Sequence, residues 1–328
     1  MSETTEKWAA AAGSALIDIL IRENDAFLEK IGAVKGGMKL VDEQTIEKAL
    51  AMTPARPEIV PGGSACNTAC GIGKLGGRVR FLGKCGDDEM GRLFEKGLEK
   101  NQTRPDMVRS PSSSTGRVLS IITPDAQRSM LTFLGASAET RPDEMTPKRF
   151  ENAAIVHLEG YMMFNPDLME AALKAASASG ARVSLDLASF TVVEESRDAL
   201  IRLTEKYVDI VMANEDEARV FSGENDETAA LEWMGEKAGV AALKVGERGS
   251  LISARGKIIP VAPAGDGESA LDTTGAGDLW ASGFLYGLLN GLPIEKCGEL
   301  GSRCGFEACR VVGAHIPEDR WKDIRKIL

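Results

Sequence analysis

Short apolar runs recur through the middle of this chain, each followed by a stretch where apolar positions return every three or four residues. The runs at 154–158, 182–186, 208–213 and 240–245 are rich in Val, Ile, Leu and Ala. Helical patterns lie between them at 166–179, near 194–206 and after Ala213. Near-continuous apolar strands separated by helices predict βαβ units, a mostly parallel sheet with helices on both faces, and right-handed crossovers. Ligands then belong at the carboxyl ends of the strands, near a switch in strand order. Two segments break the rhythm. Residues 19–60 contain Met38-Lys-Leu-Val41 and Ile59-Val60, and residues 115–134 read as a hairpin around a Pro124-Asp125 turn. They predict either a small separate sheet or an edge extension of the main one. No internal repeat, low-complexity tract or linker interrupts residues 1–328, so one α/β domain is expected.

Charge and cysteine content narrow the class. With 49 acidic against 39 basic residues the net charge is −10, which opposes a nucleic-acid surface. The first residues lack the features of a signal peptide. The apolar run from Ala9 is interrupted by Asp18 and is too short to span a bilayer, so no membrane role is expected. Six cysteines without a small-domain disulfide pattern point to a reducing, cytoplasmic setting. Cys66/Cys70 and Cys304/Cys309 each sit about one helical turn apart, but only two histidines accompany them. The cysteines therefore read as small buried apolar residues rather than zinc ligands. His157 and His315 belong to no recognisable triad.

Residues 272–287 carry the strongest chemical signal. Asp272-Thr-Thr-Gly-Ala-Gly-Asp278 leads into a small-residue apolar helix. Such a turn aims unpaired N–H groups, at the positive end of a helix, at one point, and glycines let an anion approach closely. Asp278 places a proton acceptor beside that anion. The alternative is purely structural, with Thr273 or Thr274 as N-cap and Asp278 a favourable first-turn acid. The same helix end is expected to lower the Asp278 pKa. A second glycine-rich element, Pro61-Gly-Gly-Ser-Ala-Cys-Asn-Thr-Ala69, opens a helix to about Gly76. A short strand at 78–83 follows, then Lys84-Cys-Gly-Asp-Asp-Glu-Met-Gly91. Neither element is a Walker A loop or a Gly-x-Gly-x-x-Gly turn.

Taken in order, these glycine-rich elements resemble the two signatures of the ribokinase-like (PfkB-type) carbohydrate and nucleoside kinases, from Gly13 to about Gly313. The resemblance implies a ribokinase-like fold whose extra strands form a lid over the acceptor. It also implies an ATP-dependent kinase that uses Mg²⁺. Asp278 matches the general base, Gly275, Ala276 and Gly277 the anion hole, and Thr273 a phosphate contact. Asn214 and Glu217 match the Asn-x-x-Glu motif that positions Mg²⁺ and phosphate, although the same pair also reads as a capping box. Asp18, Gly63 and Asn67 match the acceptor pocket, with Ser14 standing where the family usually has Asn. Lys244, Gly246 and Gly249 border the nucleotide, or form only a tight turn. Arg117 and Arg128 are left as ordinary strand arginines.

The stretches at 38–42, 134–139, 158–161 and 185–189 look closest to the adenosine kinase-like branch. A ribonucleoside phosphorylated at its 5′-hydroxyl is therefore the first expectation, with ribose, fructose or a related sugar as the alternative. A catalytically silent sugar-binding homologue is a second alternative, and missing dinucleotide glycines disfavour an oxidoreductase. Monovalent-cation activation occurs in the resembled family, but no residue here assigns such a site. Exposed lid edges leave a monomer or a homodimer.

Overall fold

The computed structural model describes residues 7–125, 127–265 and 270–328. Its first strands are β1 (Ala9–Ala12), β2 (Leu16–Arg22), β3 (Met38–Leu40), β4 (Glu58–Gly62), β5 (Val79–Gly86), β6 (Thr103–Ser110) and β7 (Thr115–Ile122). Then come β8 (Arg128–Gly135), β9 (Ile155–Glu159), β10 (Arg182–Asp186), β11 (Ile210–Asn214), β12 (Val240–Lys244), β13 (Ser250–Ala254) and β14 (Lys257–Val261).

Nine strands form the main sheet, in the order β14-β13-β12-β11-β10-β9-β1-β5-β6. It is parallel from β6 to β12, and β13 and β14 add an antiparallel edge. Strand side chains alternate between faces. In β1, Ala10 and Ala12 join the core on one side while Ala9 and Ala11 join the core on the other. The first core is closed by the helices Pro166–Ala178, Phe190–Tyr207, Glu215–Ser222 and Glu227–Ala238. The second is closed by Ser64–Lys74, Glu89–Lys100, Ala276–Leu289 and Ile294–Cys309. Strand order reverses between β1 and β9, so the crevice for a ligand opens at their carboxyl ends.

The remaining five strands form a separate sheet, β3-β8-β7-β2-β4, which decides against the edge-extension reading. The expected hairpin is present as the antiparallel pair β7–β8. The lid begins earlier than residue 19, because β2 starts at Leu16, directly after Gly13, Ser14 and Ala15 leave β1. Alternation sorts this sheet as well. Ile17, Ile19, Ile21, Leu119, Ile121 and Leu131 pack into the second core. The even-numbered partners Leu16, Asp18, Met38, Leu40, Val118, Arg128, Met130, Thr132 and Leu134 line a cavity against the main sheet.

Other boundaries moved modestly. The strand expected at 78–83 runs on to Gly86, so the Gly-Lys-Cys-Gly stretch is strand rather than loop. Asp88 ends that stretch by accepting the amide and hydroxyl of Thr115 at 2.7 and 2.6 Å, which ties the start of β7 to the main sheet. The helix expected near 194–206 starts a turn sooner, at Phe190. Among the described residues no helix is long and apolar enough to cross a membrane. All six cysteines are free thiols.

Candidate active site

Four neighbouring parallel strands each end in a polar residue: Glu159 on β9, Asp186 on β10, Asn214 on β11 and Lys244 on β12. Glu159 stands opposite Asp186 and Asn214 opposite Lys244, while Asp186 pairs with Met212, two residues before Asn214; together these strand ends form the floor of a cavity of about 520 Å³. The turn at Thr273–Gly277 and the helix it opens close one end. The even-numbered face of the lid is the roof. Of the residues expected from the sequence, Asp18, Gly63, Asn67, Asn214, Glu217, Lys244, Gly246, Thr273, Gly275, Ala276, Gly277 and Asp278 all line this cavity. Gly249 does not. With φ of 95° it packs under β14, where a Cβ would stand 2.2 Å from the Val261 carbonyl.

Asp278 sits in the first turn of the helix Ala276–Leu289. Its Oδ1 accepts the Ser64 hydroxyl at 2.7 Å and its Oδ2 accepts the Asn67 amide at 2.9 Å. Asn67 therefore holds Asp278 as well as lining the cavity. The expectation of a lowered Asp278 pKa is overturned, because burial raises it and the Asn67 and Ser64 donors only partly oppose this. Desolvation outweighs the helix end here.

The threonine cap is also corrected. Gly275 is the N-cap, left-handed at φ 69°, and no side chain caps the helix. Asp272 organises the turn instead, accepting the amides of Thr274 at 2.9 Å and Gly313 at 2.8 Å. Ala276 spends its N–H on the Thr273 carbonyl at 3.2 Å, so it is not a free anion-hole donor. Among the described residues the Gly277 and Asp278 amides donate to no protein group, as expected for a helix start. Glycine is required at 275, since a Cβ there would meet the Ala314 side chain at 2.4 Å.

The capping box is fully formed. Asn214 Oδ1 accepts the Glu217 amide, Glu217 Oε2 accepts the Asn214 amide, and Asn214 Nδ2 donates to Glu217 Oε1, each at 2.9 Å. Yet Glu217 is only 4% exposed and burial pushes its pKa to about 7. Among the described residues no group of three or more His, Cys, Asp or Glu side chains could hold a metal by itself. Glu217 already accepts two hydrogen bonds, and a carboxylate keeps further lone pairs. It therefore suits the water shell of a hydrated Mg²⁺, with hard oxygen donors, better than direct ligation.

On the roof, Asp18 is buried and its pKa is raised by desolvation, which Arg128 and His315 oppose. Its carboxylate lies over Gly62, where a Cβ would approach its Cγ to 2.4 Å. Arg128 stands 3.6 Å from Asp18 and holds Ser120 Oγ with two N–H groups, so it belongs to the site although the sequence reading left it out. Arg117 pairs with Glu43 away from the cavity. His157 is buried against Ser184, with its pKa lowered to about 4 by burial.

Two floor residues were not singled out in the sequence. Glu159 accepts the amides of Ser14 and Ala65, both at 2.8 Å, and burial raises its pKa to about 7. Asp186 is salt-bridged to Lys244 at 2.7 Å. A lone acid closing an apolar parallel strand was the available signal for both.

Comparisons with known proteins bear on the family and the fold. The family described as pfkB family carbohydrate kinase matches residues 25–321. A 5-dehydro-2-deoxygluconokinase from Geobacillus kaustophilus is 27% identical over 287 residues, covering 81% of this chain and 83% of its own. The structure of an adenosine kinase from Sinorhizobium meliloti superposes with a TM-score of 0.88 at 30% identity, covering 98% of this chain and 99% of that one. A probable sugar kinase from Rhizobium etli gives 0.89 at 30% identity with the same coverage.

Proposed function

The chain belongs to the pfkB family of carbohydrate kinases, with a ribokinase-like fold, and from that premise we propose that it phosphorylates the 5′-hydroxyl of a ribonucleoside with ATP. The observation that carries the acceptor is the roof. Leu16, Met38, Leu40, Val118, Met130 and Leu134 give the lid an apolar, sulfur-rich face directly beside the Asp18 carboxylate. A ribose held by Asp18 would leave its base against that face. Covering about 100 Å² of apolar surface is worth roughly 2–3 kcal/mol, or about a hundredfold in affinity. A bare sugar forgoes that gain. Gly63 keeps the chain close, because a Cβ there would strike the Ser14 carbonyl at 2.5 Å.

In the reaction, Asp278 orients the hydroxyl and accepts its proton as the new oxygen–phosphorus bond forms. The bond from the γ-phosphorus to the β,γ-bridging oxygen breaks, and ADP departs with that electron pair. The raised pKa of Asp278 makes it a better proton acceptor than a solvent-exposed carboxylate. The free Gly277 and Asp278 amides face the charge on the transferring group, with Gly275 shaping their approach and Thr273 contributing its hydroxyl. Gly246, left-handed at φ 54° with open space at its Cβ position, lets the nucleotide lie along the end of β12. Mg²⁺ would supply charge neutralisation when bound with the polyphosphate, and Glu217 would help to hold its water shell.

ADP release measured with adenosine, guanosine, inosine, ribose and fructose tests the reading. A ribonucleoside should exceed every free sugar in kcat/KM by at least about a hundredfold. A sugar that matches or beats the nucleosides overturns it in favour of the sugar-kinase alternative, which the 27% identity to a 5-dehydro-2-deoxygluconokinase favours. Sugar binding without any turnover would instead mark a silent homologue.

A further inference from the structure

Lys244 is a buried ammonium whose surroundings do not use it up. Its Nζ donates to Asp186 Oδ2 at 2.7 Å, its one hydrogen bond among the described residues. Lysine carries three N–H donors, so two remain. The side chain is 14% exposed and that of Asp186 only 4%, yet both line the cavity. Asp186 is itself held, since its Oδ1 accepts the Ala188 amide at 3.0 Å. Ala188 adopts φ 63°, a left-handed conformation that alanine rarely takes. The pair is therefore anchored on the backbone side, and the ammonium is the end that faces the cavity.

Its position relative to the helix start is specific. A Cβ built on Gly277 would meet Lys244 Nζ at 3.1 Å. Glycine at 277 thus leaves the ammonium room beside the two amides that donate to no protein group. Glu217 and Asp278 are close enough for their charges to act on Lys244. A buried ion pair maintained only for stability is a poor investment, because its desolvation often exceeds its attraction. Spare donors next to orphan amides make sense when an anion enters between them.

We propose that Lys244 is a catalytic cation that contacts the phosphoryl group in transit, offsetting the charge on its peripheral oxygens while Asp186 keeps the ammonium in place. The proposal rests on the kinase reading above and adds a residue that acts on the transferring group itself. Lys244 undergoes no covalent change, and the bonds formed and broken are those of the reaction already written.

The wild-type protein comes first. Failure to phosphorylate any alcohol with ATP would sink the kinase reading before any variant is made. Given turnover, Lys244→Met should lower kcat by at least about a hundredfold while the acceptor KM stays within about threefold. Binding supplies a second readout. Calorimetry with ADP alone, and with ADP plus aluminium fluoride and the acceptor, compares the ground state with a mimic of the group in flight. Lys244→Met should leave ADP affinity within about threefold and weaken the fluoride complex by at least about thirtyfold. A purely structural lysine would weaken both alike. The single variant leaves Asp186 buried without its partner, so Lys244→Met/Asp186→Asn is measured beside it as a neutral, folded control. Undiminished trapping of the fluoride complex by either variant overturns the proposal. So does activity of the double variant within about fivefold of wild type.

Discussion

The floor and the roof of the cavity are built on opposite principles. The floor sets Glu159, Asp186, Asn214 and Lys244 at the ends of adjacent parallel strands, where the backbone is buried on both faces and the side chains have little freedom. Two of the cavity's acids, Glu159 and Glu217, have pKa values near 7 because burial disfavours their charge. The roof is a small sheet with a largely apolar inner face, and Met38 and Leu40 remain 41% and 48% exposed. Charge that is costly to bury is concentrated on the floor, where the proposed reaction would change bonds. Apolar surface awaiting cover is concentrated on the roof, where the proposed acceptor would lie. Substitutions on the floor should therefore alter rate or stability, and substitutions on the roof should alter choice of acceptor.

The sharpest test of that division is Asp278→Asn. It keeps the shape and an oxygen for the Ser64 hydroxyl but cannot accept the substrate proton. We expect kcat to fall at least about a hundredfold with nucleotide affinity similar. Activity within about fivefold of wild type would remove Asp278 from the mechanism.

Glu159 tests the cost side. Its folded pKa of about 7 lies above its ordinary 4.5, so between those values the folded protein holds a proton that the unfolded chain has lost. Stability is then fully present below about pH 4.5 and falls as pH rises toward 7. Glu159→Gln has nothing to titrate. It also leaves one of the Ser14 and Ala65 amides without an acceptor. In urea unfolding the stability difference, wild type minus variant, should shrink by roughly 2 kcal/mol between about pH 5 and pH 8. A difference that stays constant with pH would mean that Glu159 ionises freely.

The sequence exposed these regions unevenly, for physical reasons. The glycine turn and Asp278 were legible because few residue types tolerate a left-handed N-cap like Gly275 or the crowding at Gly62 and Gly63. The lid hairpin was legible from its turn and alternation. The threonine cap misled because Asp272 fixes the turn by accepting the Thr274 amide, and the helix start is left without any side-chain cap. The Asp278 pKa misled because one-dimensional pattern shows the helix end but not the burial that outweighs it. Glu159 and Asp186 escaped because a strand-terminal acid reads the same whether it meets solvent or a neighbouring strand's lysine. Arg128 had a usable signal. It shares even parity with Met130, Thr132 and Leu134 on one strand, so alternation alone puts it on the cavity face with them.

For the roof, Leu40→Asp places a charge on the apolar face without touching the floor. Leu40 is half exposed, so folding should tolerate the change. Ribonucleoside KM should rise about tenfold, near 1.4 kcal/mol, with kcat within about twofold and any residual ribose turnover unaltered. If ribose and nucleoside suffer equally, the lid face is not where the base lies, and recognition would have to be assigned to the floor as well.

The smallest expected effect separates two roles that coincide in one side chain. Glu217 completes the capping box with Asn214, and a cap is worth about 1 kcal/mol whether or not a metal binds. Glu217→Gln keeps one acceptor oxygen and loses the charge. If the carboxylate also steadies the water shell of Mg²⁺, the Mg²⁺ concentration for half-maximal activity should rise roughly threefold, about 0.6 kcal/mol. Saturating Mg²⁺ should then restore most of the rate. A pure cap predicts the opposite pattern, a changed melting temperature with an unmoved Mg²⁺ titration. That outcome would withdraw Glu217 from the metal's surroundings and leave the floor's remaining acids, Asp186 foremost, as the groups to test next.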